Sequence, residues 1–227
     1  MGDLGATTWT AVGSQRRAFV VVPIGSLEQH GPHLPLGTDT TIAVALARAL
    51  GERRSEVLVA PPIAIGASGE HAGFPGTLSI GSNVLAGVVV ELVRSADWAS
   101  GVVLVNGHGG NSAALSGAID TLRHEQHNVL PWWPTPPRDP RSDAHAGWLE
   151  TSVMMHIEPG AVRTDLAEPG DTRPLASILD DLRQRGVRGV SHNGVLGDPT
   201  GASAEDGAAV FAAWVSDLTA RFDAWAT

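Results

Sequence analysis

The feature that most constrains the fold is a series of short, valine-rich apolar runs, separated by segments with helical periodicity. The runs are bounded by Gly and Pro and predict buried strands at residues 18–25, 57–65, 101–105 and 129–133. Apolar residues at helical spacing predict helices at residues 40–52, 83–98, 112–127, 147–156, 175–185 and 204–225. Strands that alternate with helices indicate an α/β fold, in which helices cover both faces of a mostly parallel sheet.

Length and composition limit the class of protein. At roughly 150 residues per domain, 227 residues predict a single domain over residues 1–227. Hydrophobic residues make up 43% and charged residues 17%, which is typical of a packed chain. The net charge of −9 predicts repulsion from phosphate, so we expect no nucleic-acid partner. No run reaches the ~20 apolar residues that span a bilayer, and no signal-peptide pattern is present, so we expect no membrane association and a cytoplasmic location.

The segment PIGSLEQHGPHLPLGTDT, at residues 23–40, contains the densest group of chemically useful side chains. Glu28 and His30 are two residues apart, and on an extended chain this spacing turns both side chains to the same side. Because the chain has no Cys, any metal must be held by His, Asp or Glu. Asp39 precedes a predicted helix, where it either caps the helix or bridges two metals with its two oxygens. His33 is expected to lie in the loop beside the site.

Polar residues also follow the second and third predicted strands. In parallel sheets, ligands bind outside the carboxyl ends of the strands, so these segments are expected to converge. The sequence NGHGGN, at residues 106–111, places His108 in a glycine-rich turn, either as a metal ligand or as an incidental residue of a tight turn. Residues 66–79 form a Gly-rich loop with Ser68, Glu70 and His71, which suits contact with a substrate or another subunit.

The segment DAHAGWLETSVMMH, at residues 143–156, adds a histidine and a carboxylate near the start of a helix. His145 and Glu150 can both face the same edge of the sheet. The alternatives are an ordinary cap or loop residue for His145 and a favourable charge at the helix N-terminus for Glu150. A serine hydrolase is disfavoured because the sequence has no Gly-x-Ser-x-Gly elbow.

Taken together and in this order, the four segments resemble the creatininase family of metal-dependent amidohydrolases. The resemblance implies a three-layer α/β/α sandwich, usually in a homo-oligomer, with two divalent cations per subunit. It implies that Glu28, Asp39 and His108 hold one cation and that His30 and Asp39 take part in holding the second. It also implies that His145 shuttles a proton.

Creatininase itself has Glu where this chain has Gly110 and Ala144, so the second cation lacks its usual carboxylate. We predict that Glu150 supplies it, which makes Glu150 both a metal ligand and a catalytic residue together with His145. The residues expected to contact substrate are Ser68, Glu70, His71 and Gly109. The ligand set suits Zn, Fe(II) or Mn without choosing among them, and such cations lower the pKa of bound water from about 15.7 toward 7.

The C-terminal stretch GVRGVSHNGVLGDPTGASAEDG resembles a peptidase branch of the same family. That resemblance implies a substrate, a modified precursor peptide, which is cleaved near its C-terminus to release a crosslinked Val-Tyr-derived unit. Two alternatives remain open at this point. One is a family member that acts on a small cyclic amide or formamide, and the other is a non-catalytic metal-binding scaffold.

Overall fold

A computed structural model describes residues 2–227, and its centre is a five-stranded sheet in which every described pairing is parallel. The strand order is β1-β3-β2-β4-β5, with β1 at Gly2–Asp3, β2 at Phe19–Ile24, β3 at Val57–Val59, β4 at Gly101–Asn106 and β5 at Val129–Trp132. The strand predicted over residues 57–65 ends early. Pro61 and Pro62 have no N–H to donate to the ladder, and contact resumes only as a single bridge between Ile63 and Ile24.

Seven α-helices surround the sheet within residues 2–227. They are α1 at Trp9–Gly13, α2 at Thr38–Arg53, α3 at Ser82–Ser95, α4 at Ser112–His124, α5 at Trp148–Ile157, α6 at Leu175–Arg185 and α7 at Ala204–Trp225. Six of them follow the predicted bounds within three residues, whereas α1 and the short β1 were not predicted. Gly37 occupies the N-cap of α2 and Asp39 lies inside its first turn, so the interpretation of Asp39 as the cap is wrong.

Alternation along β2 divides the core into two layers. Phe19 and Val21 point to the face covered by α2, α5 and α7, while Val20 and Val22 point to the face covered by α3 and α4. Both faces are therefore dry, and burying each such side chain contributes about 1.5–3 kcal/mol. This arrangement confirms the three-layer α/β/α sandwich. None of the helices within residues 2–227 combines the length and apolar character needed to cross a bilayer.

The order of the strands places a topological switch point at β2, and the site lies at its carboxyl end. The chain passes from β2 through α2 to β3 on one side of β2, and then returns through α3 to β4 on its other side. The loops that follow β2 and β4 therefore diverge, which is the arrangement that opens a ligand crevice at the carboxyl edge of an α/β sheet.

Candidate metal centre

Four predicted ligands meet at this edge of the sheet. Glu28 and His30 follow β2, Asp39 lies in the first turn of α2, and His108 follows β4. All four are buried, with 0%, 0%, 1% and 5% of their surface exposed. Charged groups are rarely buried to this extent unless they pair with one another or bind a cation.

Asp39 lies between the two histidines, with one oxygen facing each. Its Oδ1 is 3.0 Å from Nε2 of His30, and its Oδ2 is 3.0 Å from Nδ1 of His108. The Ser26 hydroxyl donates a hydrogen bond of 2.7 Å to Oδ2 and helps to hold the carboxylate in place. Glu28 completes the group, because its Oε2 lies 3.1 Å from Nε2 of His108. A carboxylate with its two oxygens toward two imidazoles has the geometry required to serve two neighbouring cation sites.

A second group surrounds His30 on the side of α5. The Oε2 atom of Glu150 lies 3.8 Å from Nε2 of His30 and 4.0 Å from Nδ1 of His145. The same oxygen accepts a hydrogen bond of 2.6 Å from the amide of Ala146, whose φ of 52° turns the chain into the helix. Glu150 thus stabilises the start of α5 and also reaches the cluster, so the two interpretations of this residue are compatible.

The residues predicted to contact substrate lie around the rim or beneath it. Glu70 is partly exposed, with its Oε1 at 3.4 Å from Nε2 of His108, and Gly109 is exposed. His71 is buried, with its Nε2 at 3.2 Å from Oε1 of Glu28. The Ser68 hydroxyl is also buried and has no hydrogen-bond partner within the described part of the chain. Solvent reaches the cluster past Glu70 and Glu150, whose side chains are 36% and 21% exposed.

Glu70 occupies the space above Gly110. A Cβ atom at position 110 would lie 2.1 Å from Oε1 of Glu70 and 2.4 Å from Nε2 of His108. Both distances are shorter than any ordinary contact, so no side chain fits there while Glu70 and His108 keep their positions. The carboxylate of Glu70 and the missing side chain of Gly110 are therefore complementary, a relation that the sequence did not reveal.

Four further polar residues shape the site and were missed or only partly foreseen. Asn111 ties the strand ends together, because it donates to the carbonyl of Gly25 and accepts from the amide of Ala67. Asp143 accepts from the amides of Trp148 and Leu149, the first two residues of α5, and so stabilises the start of that helix. His33 is buried but donates to or accepts from Thr151 rather than joining the cluster. Gln29, between Glu28 and His30, faces inward as well. The one available signal was the position of these residues beside predicted ligands.

The electrostatics of the cluster favour a bound cation. Burial and the neighbouring Asp39 carboxylate raise the pKa of Glu28 to about 7. Burial on its own lowers the pKa of His30, but the contact with Asp39 outweighs it and raises the value to about 9. Burial also lowers the pKa of His108, but hydrogen bonds to Asp39 and Glu70 outweigh it. The pKa of His108 therefore lies well above its usual value. Without a metal, protons on these groups balance the buried carboxylates, and a cation would take their place.

His145 has the opposite tendency. Burial, followed by the positive charge of His30, holds the pKa of His145 well below its usual range. It is therefore a neutral imidazole beside two carboxylates, with Nδ1 at 3.8 Å from Oε1 of Glu28 and 4.0 Å from Oε2 of Glu150. A neutral ring nitrogen facing the cluster is able to accept a proton and to pass it on.

The donor atoms fit divalent cations. Both carboxylate oxygens of Glu28 are buried, and neither has a hydrogen-bond partner within residues 2–227. Ligand atoms of Glu28, Asp39 and His108 all lie within 4.8 Å of one another, as do those of His30, His145 and Glu150. Imidazole nitrogens combined with carboxylate oxygens suit Zn, Fe(II) or Mn. The unpartnered oxygens of Glu28 and the two adjacent groups of ligand atoms are features that divalent cations would satisfy.

Comparisons with known proteins agree with this chemistry. The creatininase family model, described as creatinine amidohydrolase, matches residues 5–222. The chain belongs to the creatininase family. Among its relatives, it is 50% identical over 213 residues to the mycofactocin precursor peptide peptidase of Mycolicibacterium smegmatis, covering 91% of this chain and 85% of that protein. It is 46% identical over 235 residues to the protein of the same name from Mycobacterium tuberculosis, covering 99% and 92%.

Solved creatininases share the fold. A manganese creatininase superposes with a TM-score of 0.79 at 26% identity, covering 96% of each chain. Another creatinine amidohydrolase superposes with a TM-score of 0.81 at 25% identity, covering 96% of this chain and 95% of the other. Solved members of the family include Mn and Zn-Zn forms. As a creatininase family member with peptidase relatives, the chain is a metal-dependent hydrolase of amide bonds.

Proposed function

We propose that the chain hydrolyses the modified mycofactocin precursor peptide near its C-terminus and releases the crosslinked Val-Tyr-derived unit. Two findings support the proposal: the relatives that carry this name span most of the chain, and a neutral His145 faces a buried carboxylate–imidazole cluster. The second finding carries the catalytic part of the proposal, because amide hydrolysis needs both an activated water and a proton for the leaving amine.

In this proposal, Glu28, Asp39 and His108 hold one divalent cation, while His30, Asp39 and Glu150 hold the second. When bound, such cations supply Lewis acidity to the scissile carbonyl and make water a nucleophile near neutral pH. The 3.0 Å contacts of Asp39 to both histidines support its assignment to both sites, and the 3.8 Å approach of Glu150 to His30 supports its assignment to the second site. Zn, Fe(II) and Mn remain the candidates.

The chain's own side chains provide the proton transfer and part of the substrate contact. Nδ1 of His145 receives a proton and delivers it to the leaving amine, a step that typically contributes ~10²–10⁴-fold to the rate. Glu70 and Gly109 lie on the exposed side, where a peptide would approach. Ser68 and His71 are buried and lie deeper in the site. The proposal also includes a single domain, a cytoplasmic location and a homo-oligomeric assembly.

The test is mass spectrometry of the modified precursor peptide after incubation with metal-loaded protein. Release of the C-terminal Val-Tyr-derived unit is expected, with no release by the chelated protein. The unmodified peptide serves as the substrate control. Cleavage of a cyclic amide or a formamide without cleavage of the peptide would instead identify another amidohydrolase of the family. Metal binding without turnover of any of these compounds would identify a scaffold.

A further inference from the structure

The side-chain amide of Gln29 has a fixed orientation beneath the metal centre. Gln29 is 5% exposed, and its Oε1 accepts a hydrogen bond of 2.9 Å from the amide of Gly31. Its Nε2 lies 2.9 Å from the carbonyl oxygen of Gly194. A backbone N–H only donates and a carbonyl only accepts, so exchanging the amide oxygen and nitrogen would break both bonds. The nitrogen of Gln29 therefore points toward Gly194 and toward two histidine rings.

The two amide hydrogens of Gln29 face three neighbours. Besides the carbonyl of Gly194, Nε2 of Gln29 lies 2.9 Å from Nδ1 of His71 and 3.1 Å from Nε2 of His145. Nε2 of His145 is also 2.8 Å from the backbone oxygen of Gln29, which only accepts. That ring nitrogen must therefore carry its own hydrogen and donate it to the backbone oxygen. The two amide hydrogens are left for Gly194 and His71.

This assignment determines the tautomer of His71. Its Nδ1 accepts a hydrogen and so carries none, which leaves the single ring hydrogen on Nε2. Nε2 lies 3.2 Å from Oε1 of Glu28, a hydrogen-bond distance with imperfect alignment. The terminal torsion of a glutamate is broad, so a small rotation of the carboxylate aligns the donor and the acceptor.

We propose that Gln29 is a positioning residue that fixes His71 as the Nε2–H tautomer, so that His71 donates to Glu28 and cannot bind a cation. Ligand atoms of Glu28, His71 and His145 also lie within 4.8 Å of one another and would otherwise form a third cation site. A ring nitrogen that carries a hydrogen has no lone pair to offer a metal. Cations are therefore confined to the side of the cluster that faces Asp39. The inference rests on the proposed metal centre but not on the identity of the substrate.

Long-range ¹H–¹⁵N correlation spectra of protein labelled with ¹⁵N-histidine test this directly, before and after saturation with Zn²⁺. A His71→Asn variant identifies the His71 resonances by their absence. We expect Nε2 of His71 to be protonated and Nδ1 to be unprotonated in both states. Loss of the Nε2 proton when Zn²⁺ is added would make His71 a ligand and overturn the proposal, as would a proton on Nδ1 in either state.

Two variants test the part played by Gln29. Gln29→Glu replaces the amide donor with an acceptor, so a proton is expected to appear on Nδ1 of His71. Gln29→Met keeps a similar shape without a donor, and we expect mixed His71 tautomers and a loss of Zn²⁺ affinity of about 10-fold or more, as for other partners of metal-bound carboxylates. Gln184→Glu, at an exposed position of α6, should change neither property.

A purely Nε2–H His71 in both Gln29 variants would show that Gln29 does not set the tautomer. If neither variant folds, the spectra of the unaltered protein still decide between a donor and a ligand. No peptide is present in these measurements. A failure to cleave the precursor peptide and a failure of this inference are therefore separate results.

Discussion

Gly107→Ala tests how closely the end of β4 must approach the start of α2 for the metal centre to form. Gly107 follows β4 directly, and a Cβ atom at this position would lie 2.5 Å from the backbone oxygen of Asp39 and 3.3 Å from Cβ of Ala43. The φ angle of Gly107 lies outside the left-handed region that favours glycine. Alanine is therefore opposed here by contact with α2 and not by backbone strain.

The size of the effect follows from that contact. Ordinary C···O contacts begin at about 3.3 Å, so the new methyl group and the Asp39 carbonyl must separate by about 0.8 Å. No side-chain rotation relieves the overlap, because the Asp39 oxygen is a backbone atom and the new Cβ is bonded directly to the backbone of residue 107. Overpacking of this kind costs about 1–3 kcal/mol. A shift of about 0.8 Å also exceeds the roughly 0.5 Å within which a functional site must be held, so Asp39 should lose its contacts with both histidines.

Urea unfolding of the metal-free protein measures the stability change, and competition with a chromogenic chelator measures Zn²⁺ affinity. We expect Gly107→Ala to lower the free energy of unfolding by about 1–3 kcal/mol and Zn²⁺ affinity by about 10-fold or more. The control is Gly117→Ala in α4, where a Cβ meets open space. Replacing a helical glycine in such a position with alanine is expected to raise the free energy of unfolding by about 0.5–1 kcal/mol. If Gly107→Ala changes neither the free energy of unfolding nor the Zn²⁺ affinity, the reasoning is refuted.

Four further predictions concern the centre itself. Chelation should abolish amide hydrolysis, and adding Zn, Fe(II) or Mn back should restore it; full activity in protein shown by elemental analysis to be metal-free would contradict the metal centre. His145→Ala should retain its metals but lose turnover, by about 10²–10⁴-fold, and an unchanged rate would remove His145 from the mechanism. Glu150→Gln should lower the occupancy of the second cation site, and an unaltered metal content would show that another group binds there. Metal affinity should rise with pH up to about 9 because His30, whose pKa is raised to about 9, must lose its proton to bind; calorimetry at several pH values measures this, and a pH-independent affinity would contradict it.

Local patterns in the sequence were sufficient to predict most of the fold. The Val-rich runs predicted the positions of β2 and β4 to within one residue. The spacing of apolar residues predicted both ends of α6 and α7 correctly. The spacing of Glu28 and His30 on an extended segment also predicted that both would lie beside one site. An ambiguity arose where one residue type permits two local structures. Asp39 suits both an N-cap and a first-turn position. The N-cap residue is Gly37, and because glycine has no side chain, the sequence gives no sign of this.

Contacts between loops could not be predicted in this way, because they depend on how closely two distant segments pack. Glu70 fits over Gly110, although the two are 40 positions apart, and Gln29 fits against Gly194 from a much greater separation. In both cases the sequence shows a glycine but not the side chain that packs against it. A Cβ on Gly110 would lie 2.1 Å from Glu70, and a Cβ on Gly194 would lie 1.8 Å from Oε1 of Gln29. A glycine in a loop beside a site indicates that another group approaches closely. Periodicity carries no information about which group that is, so the roles of Glu70 and Gln29 follow only from the packed structure.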